Sequence, residues 1–202
     1  MPLVRKPSSP TETPAIDGRT VSELLISGSD DERWAAARSA YLLPEALPLL
    51  TAALSNEPVA RVREAIFTAL AKISSAESAA VTIPYLRSDD AAQRTAALDA
   101  LRAMPEASAQ LLPGLLKDVD ADVRLLACEI ARALPADEAS RLLGDLIDRE
   151  QDANVCAAAI EVLAETGNAA SLPILDRCAT RFREEPFLGF AIKIACDRIG
   201  SR

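Results

Sequence analysis

Asp120-Ala121-Asp122-Val123-Arg124-Leu125-Leu126-Ala127-Cys128-Glu129-Ile130-Ala131 is the clearest copy of a phrase that recurs along the chain. An acidic turn leads into an aliphatic–arginine pair, and small or aliphatic side chains follow at the third, sixth and seventh positions beyond the arginine. That spacing keeps to one face of a 3.6-residue helix. The arginine position falls at Arg33, Arg63, Arg94 and Arg124 and is taken by Cys156 and Leu188 in the last two copies, giving steps of 30, 31, 30, 32 and 32 residues. A period of this size belongs to stacked supersecondary units, each too small to bury its own apolar face, and not to one closed core.

Working outward from the phrase, each unit reads as two short helices. The helix that carries it is predicted at 32–42, 62–73, 93–104, 123–134, 155–166 and 187–199. The preceding helix carries an aliphatic-Pro-x-Leu phrase at Leu47-Pro48, Ile83-Pro84, Leu112-Pro113 and Leu172-Pro173, with Leu143-Gly144 as the variant copy. Proline is tolerated in the first turn of a helix, where its missing N–H has no acceptor to lose, so this phrase is read as a helix start. The segments between the two helices (27–32, 55–58, 88–90, 118–122 and 149–154) are rich in Asp, Glu and Ser. Such side chains accept hydrogen bonds from the free N–H groups of a helix start and favour its positive pole. Asp118 to Asp122 lacks the glycine and the distal glutamate of a calcium loop.

Composition agrees. Half of the chain is apolar but only 3% is aromatic, so the core is built from Ala and Leu, both strong helix formers. The expected fold is all-α, a right-handed α-α superhelix of about six two-helix repeats over residues 17–202. Residues 1–16 hold four prolines among Ser, Thr and charges and read as a separate disordered or docked arm. The formal charge of −8 opposes the phosphate neutralisation that nucleic-acid binding needs, and it opposes an anionic membrane surface equally. No apolar stretch is long enough to span a bilayer and none follows the N-terminal charges as a leader would. Cys128, Cys156, Cys178 and Cys196 form no CxxC pair and read as reduced, buried thiols of a cytoplasmic protein.

The run from Asp120 to Ala131 resembles the signature of HEAT repeats, and the short period is similar to the phycobilin-lyase-type branch of that superfamily. The resemblance covers about residues 19–199 and is specific for fold. It implies a solenoid whose second helices line the concave side. It also implies that each arginine pairs with an acid of the inter-helix turn: Arg63 with Glu57, Arg94 with Asp90, and Arg124 with Asp118 or Asp120. Cys156 and Leu188 have no such bond to make, so the ladder is expected to end there. Deoxyhypusine hydroxylases of this superfamily hold iron with His-Glu pairs, and this chain has no histidine. HEAT-like DNA glycosylases use a basic concave surface, which the acidic balance argues against. Without histidine the usual base for a Ser or Cys nucleophile and the commonest metal ligand are missing as well. No catalytic, metal or cofactor residue is singled out.

The reading is therefore a non-catalytic adaptor that holds a protein partner. The alternative is an accessory subunit handling a cofactor or client, similar to phycobilin lyases. Positions one, five and eight beyond the arginine point away from both neighbouring helices. They give Trp34, Arg38 and Tyr41; Glu64 and Thr68; Thr95, Asp99 and Arg102; Leu125, Glu129 and Arg132; and Glu161. Mixed charge with a few apolar groups suits a protein surface better than a polyanion. Trp34, Arg38 and Tyr41 are of the types most enriched in interface hot spots, and they equally fit a cap over the open end of the first repeat. Phe182, Phe187 and Phe190 cluster in the last repeat, where they fit either a packed cap or a homodimer surface through Phe187 and Phe190.

Overall fold

The computed structural model describes residues 18–201. The arm assigned to residues 1–16 lies outside the described residues. Within them the chain forms six helix pairs in sequence: α1 (Gly18–Ser27) with α2 (Asp30–Ala40), α3 (Ala46–Asn56) with α4 (Ala60–Ile73), α5 (Ala76–Thr82) with α6 (Ala91–Arg102), α7 (Pro105–Leu115) with α8 (Ala121–Ala131), α9 (Ala136–Arg149) with α10 (Ala153–Thr166), and α11 (Leu172–Arg181) with α12 (Pro186–Gly200). No strand occurs among the described residues. Each pair packs on the next, so the molecule is an all-helical repeat solenoid.

The even-numbered helices form one row and the odd-numbered helices the other. Contacts between neighbours are much more extensive along the even row than along the odd row. The third, sixth and seventh positions after the arginine explain this. Ala36 and Ala40, Ala97 and Ala100, Ala127 and Ala131, and Ala159 are all buried where one even helix meets the next. Methyl-sized side chains let helix axes approach closely, and larger groups such as Ile66, Leu70, Leu101, Ile130 and Leu163 fill the space toward the odd row. A stack that is tighter on one side curves toward it, which puts the even row on the inside.

Polar groups set the register of each pair. Ser29, Asp90, Asp120 and Asp152 are the N-caps of α2, α6, α8 and α10, accepting from backbone N–H groups within the first turn. Substituting such a cap typically costs about 1 kcal/mol. The prolines do not all mark helix starts. Pro48 and Pro173 lie in the first turns of α3 and α11, but Pro84 sits where α5 tightens into a 3-10 segment, Ile83–Arg87, and Pro113 lies two residues before the end of α7. In the last two, proline ends or tightens the helix because it deprives the carbonyl four residues back of its donor. Gly144 has a different reason. A Cβ there would meet Ile174 Cδ1 at 2.6 Å, so the glycine admits α11 against α9.

The arginine ladder is present with a different pairing from the expected one. Each guanidinium takes a turn carbonyl of its own repeat: Arg33 Nη1 donates to Gly28 O at 2.8 Å, Arg63 Nη1 to Pro58 O at 2.7 Å, Arg94 Nη1 to Ser88 O at 2.6 Å, and Arg124 Nη1 to Asp118 O at 2.8 Å. For three of them a carboxylate comes from the turn of the next repeat, and Arg33 also takes Asp30 of its own helix at 3.0 Å. Arg33 clasps both Glu57 oxygens at 2.8 and 3.1 Å, Arg124 clasps both Glu150 oxygens at 2.7 and 3.0 Å, and Arg63 reaches Asp90 at 2.7 Å. The side chain is long and points along the stack, so its near edge meets its own loop and its far edge crosses the repeat boundary. The pairs Arg63–Glu57, Arg94–Asp90 and Arg124–Asp118 or Asp120 are thereby corrected. No arginine occupies the register at Cys156; Arg181, entering from α11, donates instead to Asp148 O at 3.1 Å and to Ile147 O in the last turn of α9.

Burial pushes the Glu57 and Glu150 carboxyls up, but hydrogen bonds from Arg33 and Arg124 and from their own turns' N–H groups outweigh it and hold both below the ordinary range. Their side chains are 3% and 6% exposed, against 45% for Asp90. Removing one partner of a buried pair strands the other, at about 3 kcal/mol, whereas an exposed pair contributes under about 1 kcal/mol. Glu57→Ala and Glu150→Ala are therefore expected to lower the urea midpoint far more than Asp90→Asn, which keeps its cap. A carboxylate with a depressed folded-state pKa contributes stability that is complete above its unfolded value of about 4.3 and disappears as pH falls through the folded one. Acid titration below about pH 4 should then destabilise the parent chain more steeply than the double variant Glu57→Gln/Glu150→Gln. Equal acid sensitivity of the two would contradict the assignment.

Candidate functional site

The outward-facing positions of the even row were placed by register, and the structure can be read at each of them. Arg38, Glu64, Thr68, Thr95, Asp99, Arg102 and Glu161 are exposed, while Trp34, Tyr41, Leu125, Glu129 and Arg132 are half-buried. They do not form one continuous patch.

At the first repeat, Trp34 and Tyr41 pack on the core. Arg38 lies over the Trp34 ring at 4.4 Å, and Lys72 of α4 lies over the Tyr41 ring at the same distance. Both rings thus have a cation on the outside and apolar packing beneath. Lys72 was not evident from the sequence, since it lies one repeat away from Tyr41.

In the middle, α4 and α6 leave an open groove of 520 Å³. Glu64, Thr68, Thr95 and Asp99 line it together with Arg61, Arg63, Phe67 and Gln93, over a floor completed by Ala71, Ala96, Ala100 and Ala103. Phe67 is 1% exposed and stands edge-on to Tyr85 with ring centres 5.3 Å apart. Its register holds Ala37, Leu98, Cys128, Ile160 and Ile192 in the other repeats; a lone aromatic there was the available sign that this junction differs. Arg61 and Arg63 are engaged by Asp31 at 2.6 Å and Asp90 at 2.7 Å.

Further along, Arg132 is held by both Glu129 oxygens and by Glu165, with Glu161 at 4.0 Å. The Glu129 hydrogen bond is the largest of the effects that keep its guanidinium charged, opposed by burial and aided by Glu165. Arg102 pairs more loosely with Asp99 at 3.9 Å. Between these groups lies a second open hollow lined by Asp99, Arg102, Ala103, Arg132 and Ala133. At the far end Phe187 and Phe190 are 47% and 68% exposed, while Phe182 is half-buried beneath the Arg181 guanidinium at 4.9 Å.

Residues 108–185 match the family model of HEAT repeats. Solved structures of similar fold include the archaeal HEAT-like repeats protein from Thermococcus onnurineus NA1, at 17% identity over 93% of this chain and 82% of that one with a TM-score of 0.50. They also include the complex of CpcE and CpcF of phycocyanin lyase from Nostoc sp. PCC7120, at 20% identity over 87% and 74% with a TM-score of 0.50. No curated protein sequence matches the chain. At these identities the likeness is one of fold. Among the described residues no group of three or more His, Cys, Asp or Glu is placed to hold a metal ion, and no helix is long and apolar enough to cross a membrane.

The thiols were expected to be buried hydrophobes, and Cys128, Cys156 and Cys178 are fully covered while Cys196 is half-buried. Burial, reinforced by Glu129 and Glu150, pushes the Cys128 thiol up to about 12. Cys156 and Cys178 face each other; the contact with Cys178, then burial, raises Cys156, and the same contact lowers Cys178. Reagents reach only what is exposed, and a covered thiol is inert whatever its acidity. In the native protein at pH 8 a thiol-specific dye is expected to label Cys196 first, with the other three reacting on unfolding. Peptide mapping of the labelled protein checks this, and early labelling of Cys128 would contradict it.

Proposed function

We propose that the protein is a non-catalytic scaffold that holds a protein partner along its row of even-numbered helices. The observation that carries this reading is the groove between α4 and α6. Four positions on its walls, Glu64, Thr68, Thr95 and Asp99, are ones that the repeat register leaves free of structural duty. Charged rims around an apolar floor are the composition of a protein-binding surface. The likeness to phycocyanin lyase subunits is at the level of fold. Nothing in the groove favours a pigment-handling role over a protein-holding one.

A photo-crosslinking amino acid tests the site directly. Installed at Thr68 or Thr95 in cells that naturally make the protein, it should trap one discrete polypeptide. The same group at Gln110, exposed on the odd-row helix α7, should not. Equal trapping from both rows would remove the assignment.

The exposure of Phe187 and Phe190 favours a second contact, self-association through the terminal repeat. Two large apolar rings exposed on one helix, α12, form the kind of patch that marks an association surface. Sedimentation at rising concentration should give a dimer for the parent chain and a monomer for Phe187→Ser/Phe190→Ser. A parent chain that stays monomeric at high concentration would exclude it.

A further inference from the structure

The geometry points to an extended, cationic peptide segment as the occupant of the α4–α6 groove, with a lysine or arginine side chain seated between Glu64 and Asp99 and a small apolar neighbour over Phe67. This rests on the protein-holding reading and specifies its partner.

The argument is one of unspent hydrogen-bonding capacity. Thr68 Oγ1 donates its proton to Glu64 O at 2.9 Å, and Thr95 Oγ1 donates to Ala91 O at 3.0 Å. Both hydroxyls have thus given their hydrogens to their own helices, and what remains to face the groove is acceptor lone pairs. The Glu64 carboxylate is exposed and has no ion-pair partner among the described residues, and Asp99 has only Arg102 at 3.9 Å. The two cations on the walls each have a carboxylate already: Arg61 pairs with Asp31, and Arg63 with Asp90 and the Pro58 carbonyl, leaving its buried Nε–H without an acceptor among the described residues. The groove therefore offers acceptors and negative charge over an apolar floor, and charge complementarity selects a donor-rich, positive ligand. Its floor is built from alanines beside one buried phenylalanine. That surface is shallow, so it accommodates a methyl-sized side chain and an extended backbone better than a bulky ring or a helix. The net charge of −8 over the whole chain assists encounter without choosing this groove.

The test uses the full chain and fluorescein-labelled probe peptides of one design, Gly-Ser-Arg-Ala-Lys-Ala-Ser-Gly, in which Arg and Lys are kept, replaced by Gln, or replaced by Glu. Binding is followed by fluorescence anisotropy at low and moderate salt. The cationic probe should bind and weaken with salt, and the Glu probe should not bind. Glu64→Gln/Asp99→Asn should weaken the cationic probe about tenfold, the loss of one charge-assisted contact. Glu23→Gln/Glu106→Gln, which removes the same charge from exposed positions on the odd row, should change it less than about twofold. Unchanged thermal melting confirms that both variants are folded. If the two double variants weaken binding equally, the attraction is only that of an acidic chain and the proposal falls. If the Gln probe binds as well as the cationic one and the groove variant does not discriminate, the charge assignment falls. Crosslinks from Thr68 would still support the scaffold in that case. Absence of binding by every probe overturns the proposal as stated.

Discussion

A guanidinium laid across each inter-helix turn is the contact on which the solenoid's regularity depends. The carbonyls it satisfies, Gly28, Pro58, Ser88 and Asp118, recur at constant spacing although the residues that bear them share no side-chain chemistry. A turn between two packed helices leaves carbonyls with no backbone donor, and leaving such a group buried and unpaired costs more than the bond itself contributes. Arginine answers this with several donors in a rigid fork, and in three repeats the far edge of the fork also takes a carboxylate from the next turn. One side chain thus closes its own repeat and sets its distance to the following one. The fifth repeat differs. Its arginine position is Cys156, and the guanidinium found there is that of Arg181, which arrives from α11 and donates to Asp148 O in the last turn of α9.

Once the turns are fixed, the even row must stack at a set spacing, and the alanines follow from it. The alanines among the third, sixth and seventh positions are compatible with close helix approach, and a larger side chain in their place would have to displace a neighbour. This in turn defines which positions remain free. The outward face is narrow, and most of what stands on it is drawn into local pairs: Arg38 over Trp34, Lys72 over Tyr41, and Arg132 among three glutamates. The α4–α6 junction is the exception, where Phe67 sits below alanines and the surrounding acids lack close cations.

The sequence carried the architecture well because period, helical stripe and turn chemistry all repeat, and each copy corroborates the others. It carried pair identities poorly. An arginine at the fourth position of its helix has acids both in its own turn and in the next. Only the direction in which the side chain leaves the helix decides between its own turn and the next. The same limit hid Lys72 behind Tyr41 and Arg181 behind Cys156, since both lie in a neighbouring repeat. The proline phrase misled for a related reason. Its local pattern is constant, but α5 and α7 begin earlier relative to it than α3 and α11 do, so the same four residues fall at a helix start in two repeats and near an end in the others. Phe67 was legible only as a departure from its column, and its meaning required the groove to be seen.

The acidity of the chain divides along the same line. Asp90, Asp120 and Asp152 sit at helix N-termini, where the positive pole of the helix and free N–H groups favour them, and Glu57 and Glu150 are enclosed by guanidinium and backbone donors. These charges need no ligand to account for them. Asp99 does not share that situation. It stands in the second half of α6, toward the negative pole, in a helix interior where Asp is among the poorer residues. Its one cation is the loosely placed Arg102. Glu64 is likewise exposed beyond the first turn of α4, where no cap is needed. Glu64 and Asp99 thus face one groove without the cap that holds Asp90 or the close guanidinium that holds Glu57 and Glu150. Such departures are expected where a surface is held for a partner.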